Sequence, residues 1–448
     1  MRLLRHLMAG RGKLPPSGLL APGFRSFRAF VYAAPGLETL LAKEMRRLLQ
    51  NPDGGSGRAT IVPTSEGCEL LGLEESDMWR ICTSSRLASG IRIRLGEARE
   101  ATKFAVYNHH VRTLPWEAFL PLRPLMPTPT GLLGAVKISA TCHESKLFHS
   151  DALSERLRDY LERKRLILSS AQETRLLRHE SVDGQKMAME DPLSVYILMQ
   201  GDKAQVSVDA GGDLLSRRGY RTHVSEAPIR ENLAAACLDA MDYTGEKPLW
   251  DPFCGSGTLL CEALLRAANR NCVLRTGMPL AVNQLGKEPR SFGFQQWRSF
   301  PEQRYLQWAG ENADAWTPFS HFLQESSTGL YIGSDISRAS LDAARHNWKA
   351  LTRGRKEMKS WRGDFNEVAE QVLKGCPQPP ILFSNLPYGV RLAQHLNSIY
   401  NRLNKMVKER QNDLDEVYVL DGSADDHFLA IASSHHVQWQ SVLQFSNG

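Results

Sequence analysis

The stretch that decides the fold is PLWDPFCGSGTLLCEALLRAAN, residues 248–269. Its apolar start indicates a buried strand, and the apolar residues after Gly257 recur at helical spacing. Between the two, Gly255 and Gly257 allow a tight turn and a close approach of the backbone to a ligand. Asp251 stands at the predicted strand end, where an acid suits an amine or a hydroxyl group. The stretch therefore predicts a strand, a turn and a helix that together could bind a ligand.

Two common phosphate-binding motifs are excluded by this turn. No Lys-Ser or Lys-Thr pair follows the glycines, so the stretch is not a P-loop. Residue 260 is Leu, where the dinucleotide fingerprint G-x-G-x-x-G has its third glycine. A lone G-x-G is as consistent with a mere turn as with a ligand site.

Strands alternate with helices from about residue 213 to the end of the chain. The predicted strands are 248–253, 329–335, 379–385, 415–422 and 437–445, and the predicted helices are 257–269, 337–351, 391–410 and 424–434. This alternation predicts an α/β fold with a doubly wound sheet. Ligands bind at the carboxyl ends of the strands in such sheets, so one crevice is expected to collect Asp251, Asp335 and Asn385.

The region before about residue 212 has a different pattern, in which short strands and helices mix. Residues 28–49 indicate a strand, a Pro-Gly turn and a helix, and residues 194–212 indicate a hairpin. A helix predicted over 151–168 has charges of both signs, which favours a solvated face with i,i+4 pairs. The region is therefore predicted to be a compact α+β unit.

Composition excludes several classes of protein. The chain has 448 residues, too many for one ordinary core, with 42% hydrophobic and 23% charged residues. No run of about 18 apolar residues exists, so no membrane span is expected. The eight cysteines include no C-x-x-C pair, which argues against zinc ribbons and thioredoxin-like sites. The two histidines of HESKLFH (143–149) have the wrong spacing for a zinc-binding helix.

The net charge of +6 comes entirely from the N-terminus. The basic residues before the first acid, Glu38, are Arg2, Arg5, Arg11, Lys13, Arg25 and Arg28. Residues 38–448 therefore sum to zero, and the overall charge says nothing about nucleic acid. An acid-free leader that alternates Arg with Leu and lacks a secretory apolar core predicts a mitochondrial transit peptide over residues 1–28. The alternative is a plain basic tail.

Two further acids follow predicted strands. Asp335 in GSDIS (333–337) is placed to accept from ribose hydroxyls, or else to cap the next helix. Asp364 in RGDF (362–365) is otherwise a turn residue. Acids after successive strands make a nucleoside ligand the better explanation of the set.

The stretch SNLPYG (384–389) reads as a clamp for a nucleobase amine. Asn385 offers an amide oxygen, and the Leu386 carbonyl is a second acceptor whose direction is fixed because Pro387 restricts its own φ. Two adjacent acceptors suit an exocyclic –NH₂ group, and Tyr388 offers a face on which a base can stack. A plain turn after a strand is the alternative.

Together, DPFCGSGT, SDIS, GDF and NLPYG resemble motifs I to IV of Rossmann-fold S-adenosylmethionine-dependent amino-methyltransferases. Residues 217–238 and 291–300 resemble segments of the THUMP-containing RNA guanine-N2 methyltransferases, in particular the N-terminal module of bacterial large-subunit rRNA methyltransferases of RlmL/RlmKL type. The likeness covers about residues 31–446 and is strongest over 213–392.

The resemblance implies two domains and a set of site residues. A ferredoxin-like plus THUMP region (29–212) would grip RNA, and a Rossmann-like class I methyltransferase domain (213–448) would bind S-adenosylmethionine. The implied cofactor-binding residues are Asp251, Phe253, Gly255 and Gly257 near the methionine moiety, Asp335 on the ribose, Asp364 near the adenine amine, and Ile336. The implied residues around the target guanine are Asn385, Leu386, Pro387 and Tyr388.

The implied reaction is methylation of the N2 amine of a guanine in mitochondrial large-subunit rRNA, without a metal and without a covalent intermediate. A paired base would first be flipped out, at a cost of about a few kcal/mol. Hydrogen bonds from the amine to Asn385 and to the Leu386 carbonyl would then aim its nitrogen at the methyl group, so that placement is the main catalytic contribution.

Other interpretations stay open. The family usually has Pro where Leu386 stands, and Asn-Leu-Pro-Tyr also occurs in related enzymes that act on adenine N6. The sequence ends at FSNG, where the family continues into an antiparallel closing strand, which favours an inactive factor that binds ribosome assembly intermediates. A tRNA guanine-N2 methyltransferase is a third candidate. The basic, Trp-containing run 345–362 is equally consistent with a surface that follows an RNA backbone and with a solvated helix and loop.

Overall fold

A computed structural model describes residues 26–50, 59–120, 136–168, 192–225, 228–271, 292–311, 330–387, 393–422 and 427–445. Most of the proposed transit peptide and Tyr388 of the proposed clamp lie outside these ranges. The described residues form two sheets, one on each side of about residue 212.

The first sheet is mostly antiparallel. Its strands are β1 (Phe27–Tyr32), β2 (Thr60–Thr64), β3 (Gly67–Leu73), β4 (Gly90–Arg94), β5 (Arg99–Glu100), β6 (Val136–His143), β7 (Leu193–Gln200) and β8 (Lys203–Asp209). They lie in the order β2-β3-β1-β4-β8-β7-β6, with β5 paired to β8. The hairpin predicted over 194–212 is confirmed as β7 and β8, and the α+β character of this region is confirmed with it.

Helices cover both sheets. In chain order they are α1 (Glu38–Leu49), α2 (Glu75–Ser84), α3 (Phe104–Arg112), α4 (Ser150–Arg163), α5 (Glu231–Ala240), α6 (Thr258–Asn271), α7 (Glu302–Glu311), α8 (Arg338–Thr352), α9 (Phe365–Lys374), α10 (Ala393–Glu409) and α11 (His427–Ser434). Among the residues that the structure describes, no helix combines the length and the apolar character that a membrane crossing requires.

The second sheet confirms the doubly wound α/β prediction. Its strands are β9 (Leu249–Asp251), β10 (Tyr331–Asp335), β11 (Lys359–Arg362), β12 (Ile381–Asn385) and β13 (Val417–Leu420). All neighbours are parallel, in the order β11-β10-β9-β12-β13. The central strand β9 is buried along its whole length, as expected where helices cover both faces of a parallel sheet.

One hydrophobic core runs from the first sheet into the second. It joins Val31 and Ile93 of the first sheet to Leu249 and Phe383 of the second, through apolar residues of α5 and α6. The seven cysteines that the structure describes are free thiols, and five of them are buried among these apolar residues or beside the glycine turn. The region of the first sheet is thus packed directly on α5, which precedes residues 248–269, and on α6, which begins within them.

A buried charge network reinforces this contact. Glu262 on α6 is fully buried, and its carboxylate lies 3.3 Å from Arg86 Nη2 and 3.5 Å from Arg218 Nε. The Tyr220 hydroxyl donates to the same carboxylate at 3.0 Å. Arg86 belongs to the loop between α2 and β4, and its guanidinium also donates to the Glu262 backbone carbonyl. The network therefore ties that loop to the helix that follows the glycine turn.

The prediction of a last strand over 437–445 is wrong. This segment pairs with no strand of the described residues and has no regular secondary structure. The Trp439 indole donates to Asn404 on α10 at 3.0 Å, and Phe445 lies against Gly36 beyond the end of β1. These contacts hold the segment against the rest of the protein. Its alternating apolar side chains therefore pack on the fold although its backbone forms no strand ladder.

Candidate active site

The polar strand ends of the second sheet meet at one edge. Asp251 ends β9, Asp335 ends β10 and Asn385 ends β12, as the sequence predicts. The chain continues from β9 to β10 on one side and returns to β12 on the other, so β9 lies at the topological switch point. Ligands of open parallel sheets bind in the crevice at such a point.

The glycine turn is held close to this edge. Gly255 and Gly257 both have positive φ, +50° and +79°, a conformation that side chains rarely adopt. The Gly255 N–H donates to Asp335 Oδ2 at 3.1 Å, which joins the turn after β9 to the end of β10. The glycine turn and the acid at the end of β10, which were predicted separately, therefore form one structural unit.

Replacing Gly257 with alanine is expected to weaken binding of S-adenosylhomocysteine about tenfold. The left-handed backbone costs a non-glycine residue about 1–2 kcal/mol, and the new Cβ would lie 3.1 Å from Ala344 Cβ on α8. Titration calorimetry measures the effect. Gly310→Ala is the matched control, because a Cβ there meets nothing within 4 Å. Equal affinities of the two variants would contradict this role of the turn.

Asp251 is the most deeply buried acid of the crevice, at 1% exposure. Its Oδ1 accepts hydrogen bonds from the Ser384 hydroxyl and from the Phe253 N–H. Burial raises the pKa of Asp251 to about 7, opposed by these two hydrogen bonds and assisted by the nearby Asp335. Near neutral pH this carboxyl is therefore poised between its two charge states, and a cationic ligand group would favour the ionised one.

Asp335 is tied to the backbone on both sides. Its Oδ1 accepts from the Ser337 N–H at 2.8 Å and its Oδ2 accepts from Gly255, while burial raises its pKa. The cap of α8 is Ser337, whose hydroxyl accepts from Ser340 N–H, so the alternative that Asp335 caps this helix is wrong. The next side chain, Ile336, is 69% exposed, which leaves an apolar surface beside the strand-end acid.

Asp364 has two partners within the fold. It caps α9 by accepting from the Asn366 N–H at 3.1 Å, and its Oδ2 lies 2.6 Å from Arg402 Nη2 on α10. The Arg402 guanidinium also lies over the Phe365 ring, 5.2 Å from its centroid. These contacts are structural, and the expected contact of Asp364 with an adenine amine stays a prediction.

The clamp residues that the structure describes lie where β12 ends. The Asn385 side-chain oxygen is buried and accepts no hydrogen bond from the described residues. Leu386 is fully buried, and its N–H donates to the Leu420 carbonyl, which extends the sheet by one residue. The Pro387 carbonyl accepts from the Tyr400 hydroxyl at 3.3 Å. A buried acceptor without a partner is rare in folded proteins and calls for a ligand or a function.

Asn347 is a site-forming residue that the sequence interpretation missed. It is fully buried on α8, and its Oδ1 accepts from the N–H groups of Thr222 and His223 at 2.9 and 3.0 Å. Its Nδ2 donates to the carbonyls of His223 and Ser256 at 2.8 and 3.0 Å. One amide thus fixes the segment that leads into the second sheet against the glycine turn. The available signal was a polar residue on the apolar stripe of an amphipathic helix.

The basic run 345–362 does not present its first tryptophan to a ligand. Trp348 is 3% exposed, and its indole donates to the Lys356 carbonyl at 2.7 Å. The loop between α8 and β11 lies at the amino edge of the sheet, because β11 runs parallel to its neighbours and begins only at Lys359. The loop is therefore on the opposite edge from Asp251, so stacking on Trp348 beside the crevice is excluded.

The residues present fit S-adenosylmethionine. Asp251 would hold the amino group of the methionine moiety, Asp335 the ribose, and Ile336 would lie against the adenine. Two buried hydroxyls of the glycine turn, Ser256 and Thr258, have no hydrogen-bond partner among the described residues. Polar groups without partners around a glycine turn at a switch point are what a polar ligand would satisfy.

Comparison with known proteins gives the family. Residues 218–442 match the family described as RMKL-like, methyltransferase domain, and the chain belongs to this family. A Synechocystis protein, slr0064, named as a candidate RNA methyltransferase, is 28% identical over 85% of this chain and 85% of its own length.

Solved structures agree on the fold. The chain is similar to a Listeria monocytogenes protein described, by prediction, as an N6-adenine-specific DNA methylase, with 21% identity, 93% of this chain and 94% of that chain covered and a TM-score of 0.64. It is also similar to SMU.472, described as a candidate methyltransferase complexed with SAH, with 22% identity, coverages of 91% and 92% and a TM-score of 0.63. Family and fold thus confirm a methyltransferase, for which S-adenosylmethionine is the cofactor.

Proposed function

We propose that this protein methylates the exocyclic N2 amine of a guanine in mitochondrial large-subunit rRNA. The observation that supports it best is the buried Asn385 side-chain oxygen at the end of β12, which has no hydrogen-bond donor among the described residues. An amine with two hydrogens can donate one to this oxygen. The polar strand end of β9, where the methyl donor would bind, is joined to β12 by the hydrogen bond between Asp251 and Ser384.

The contribution of the protein to the chemistry is placement. Asn385 is held at the end of a buried strand, and Tyr400 on α10 fixes the carbonyl of the following Pro387. A target amine held by a rigid acceptor keeps its nitrogen lone pair directed away from that acceptor. Well-oriented reactants gain about 7–11 kcal/mol of the barrier from their placement alone, so no further catalytic base is required.

The methyl donor supplies the electrophile. When bound, S-adenosylmethionine would supply an electrophilic methyl group for the amine nitrogen, with S-adenosylhomocysteine and one proton as the other products. The glycine turn and Asp335 would fix the donor, and Asp251 would bind its amino end as a carboxylate. The two acids end β9, at the switch point, and its neighbour β10, and β12 with Asn385 lies on the other side of β9.

RNA as the substrate is supported by the relative from Synechocystis, which is named as a candidate RNA methyltransferase and matches most of this chain. The N-terminal sheet would be the ferredoxin-like and THUMP region that grips the RNA. Its tight packing on α6, through Arg86 and Glu262, would place bound RNA in a fixed relation to the crevice. The acid-free leader supports a mitochondrial location.

Methylation of adenine N6 is the second candidate. Leu386 stands where the N2 family usually has Pro, and the similar Listeria protein is described, by prediction, as an N6-adenine-specific DNA methylase. Leu386 is fully buried, and its backbone N–H donates a hydrogen bond to the Leu420 carbonyl. The acceptor geometry of Asn385 suits either amine, so the product has to be identified chemically.

The test in cells is nucleoside mapping of organellar rRNA. Loss of one N2-methylguanosine from large-subunit rRNA in cells lacking the protein, restored by the wild type and not by Asn385→Ala, is the expected result. Restoration by Asn385→Ala would contradict catalysis at this site. Loss of a methylated nucleotide from tRNA, or of N6-methyladenosine, would replace the proposed target by that one.

A further inference from the structure

Two buried serines occupy equivalent positions beside the central strand. Ser334 precedes Asp335 on β10, Ser384 precedes Asn385 on β12, and both are fully buried. The Trp250 indole of β9 donates to Ser334 Oγ at 3.0 Å, while Ser384 Oγ donates to the carboxylate of Asp251. Only the second serine of this pair is bonded to a charged residue of the crevice.

We propose that Ser384 is a positioning residue for binding of the methyl donor: its hydroxyl orients the Asp251 carboxylate to bind the ammonium group of S-adenosylmethionine. The inference rests on the proposed use of Asp251 for the amino end of the donor. It concerns donor binding alone and is independent of which RNA base is methylated.

The geometry at Asp251 supports this role. Both hydrogen bonds that described residues make to the carboxylate, from Ser384 and from the Phe253 N–H, end on Oδ1. The other oxygen, Oδ2, is left to accept from a ligand. Because Phe253 N–H is a backbone donor two residues away, Ser384 is the side chain that fixes the carboxylate from the neighbouring strand.

The electrostatic surroundings of Asp251 give the Ser384 hydroxyl a measurable effect on the pKa of that carboxyl group. The pKa of Asp251 is raised to about 7, mainly by burial and in smaller part by Asp335 of β10, and the Ser384 hydroxyl is the largest opposing influence. The other titratable neighbour is the buried Cys254 thiol, whose pKa is raised by burial and by both acids. Arg345 on α8 acts on that thiol from farther away. Without the Ser384 hydroxyl, the pKa of Asp251 would rise.

The hydrogen bond also joins the two halves of the crevice. Asp251 belongs to the donor side and Ser384 is bonded covalently to Asn385, the proposed acceptor for the target amine. Binding of a cation at Asp251 favours the carboxylate, which strengthens the bond from Ser384. Occupation of the donor site would in this way fix the end of β12 before the target base arrives.

The experiment measures the affinity for S-adenosylhomocysteine by calorimetry between pH 5.5 and 8.5. The wild type is expected to bind about tenfold more weakly for each pH unit below the pKa of Asp251, because protonation removes the carboxylate. The ligand's α-amino group stays charged over this window, because the carboxylate beside it raises its pKa above the peptide range of about 7.7–8.0. The constant affinity above the pKa of Asp251 is thus the internal reference.

Ser384→Ala is expected to move only the acid limb, by at least about half a pH unit toward higher pH, which is about threefold in affinity at pH 6.5. Ser384→Thr, which keeps the hydroxyl, should restore the wild-type limb. Ser384→Cys is close to serine in size and donates weakly, so it should shift the limb even where the alanine variant folds poorly. Ser334→Ala, the matched buried serine, should leave the limb in place.

Several outcomes would overturn the inference. A loss of affinity in Ser384→Ala that is equal at every pH would mean a purely structural role. An acid limb that persists in Asp251→Asn would assign it to another group. Absence of binding by the folded wild type at all pH values would overturn the cofactor site itself, and the proposed function with it.

Discussion

Replacing Asn385 with alanine is expected to lower the rate of methyl transfer about 10²–10³-fold, the usual effect of removing one preorganised polar group at a reacting centre. The affinity for S-adenosylhomocysteine should not change, because the donor residues Asp251 and Asp335 lie on other strands. Single-turnover kinetics with saturating donor measure the chemical step. The reason for the loss is that the target amine would have no side-chain acceptor at the end of β12.

Asn404→Ala is the control for this prediction. Asn404 is a fully buried asparagine whose amide is used within the fold, donating to the Tyr400 carbonyl at 2.8 Å and accepting from Trp439. Its loss should lower stability while leaving the single-turnover rate of the folded protein within a factor of about three. A similar rate loss in both variants would show that Asn385 acts through the fold, and an unaffected Asn385→Ala would remove it from the mechanism.

Replacing Glu262 with alanine is expected to lower the free energy of unfolding by about 3–5 kcal/mol, the range seen when one partner of a buried ion pair is removed. The change leaves Arg86 and Arg218 buried without the carboxylate that lies between them. Because ordinary stabilities are about 5–15 kcal/mol, much of the protein should unfold at modest denaturant concentrations. Denaturant unfolding followed by circular dichroism measures the effect.

Glu370→Ala is the matched control for Glu262. Glu370 forms an i,i+4 pair with Lys374 on α9, with both side chains well exposed, and exposed pairs contribute little. Its replacement should leave the unfolding midpoint close to that of the wild type. Equal midpoints of the two variants would contradict the view that the network around Glu262 holds the first sheet against α6.

The edge of the second sheet could be predicted because it depends on local patterns. Apolar runs that stop at Asp251, Asp335 and Asn385 mark strand ends, and alternation with helices makes those strands parallel, so their carboxyl ends must share an edge. The glycine turn could be predicted for the same reason, since Gly255 and Gly257 stand between a strand and a helix. None of these features needs contacts between distant parts of the chain.

What could not be predicted depends on distant contacts. The hydrogen bond from Ser384 to Asp251 spans 133 residues and exists because β12 lies beside β9, a fact of strand order. The alternating apolar residues of 437–445 satisfy a strand pattern, although contacts with Asn404 and Gly36 hold the segment instead. The aromatic ring of Trp348 suggested that it could stack on a base, but Trp348 lies on the buried stripe of α8.

The most direct test of the central claim is transfer of labelled methyl groups from S-adenosylmethionine to organellar rRNA taken from cells that lack the protein. The labelled RNA is digested to nucleosides and the product is identified by mass spectrometry. Labelled N2-methylguanosine, formed by the wild type and absent with Asn385→Ala, is the result that the crevice at β9, β10 and β12 predicts. No label from folded protein that binds S-adenosylhomocysteine, with rRNA, tRNA and precursor particles all offered, would contradict the claim that this crevice transfers methyl groups to RNA.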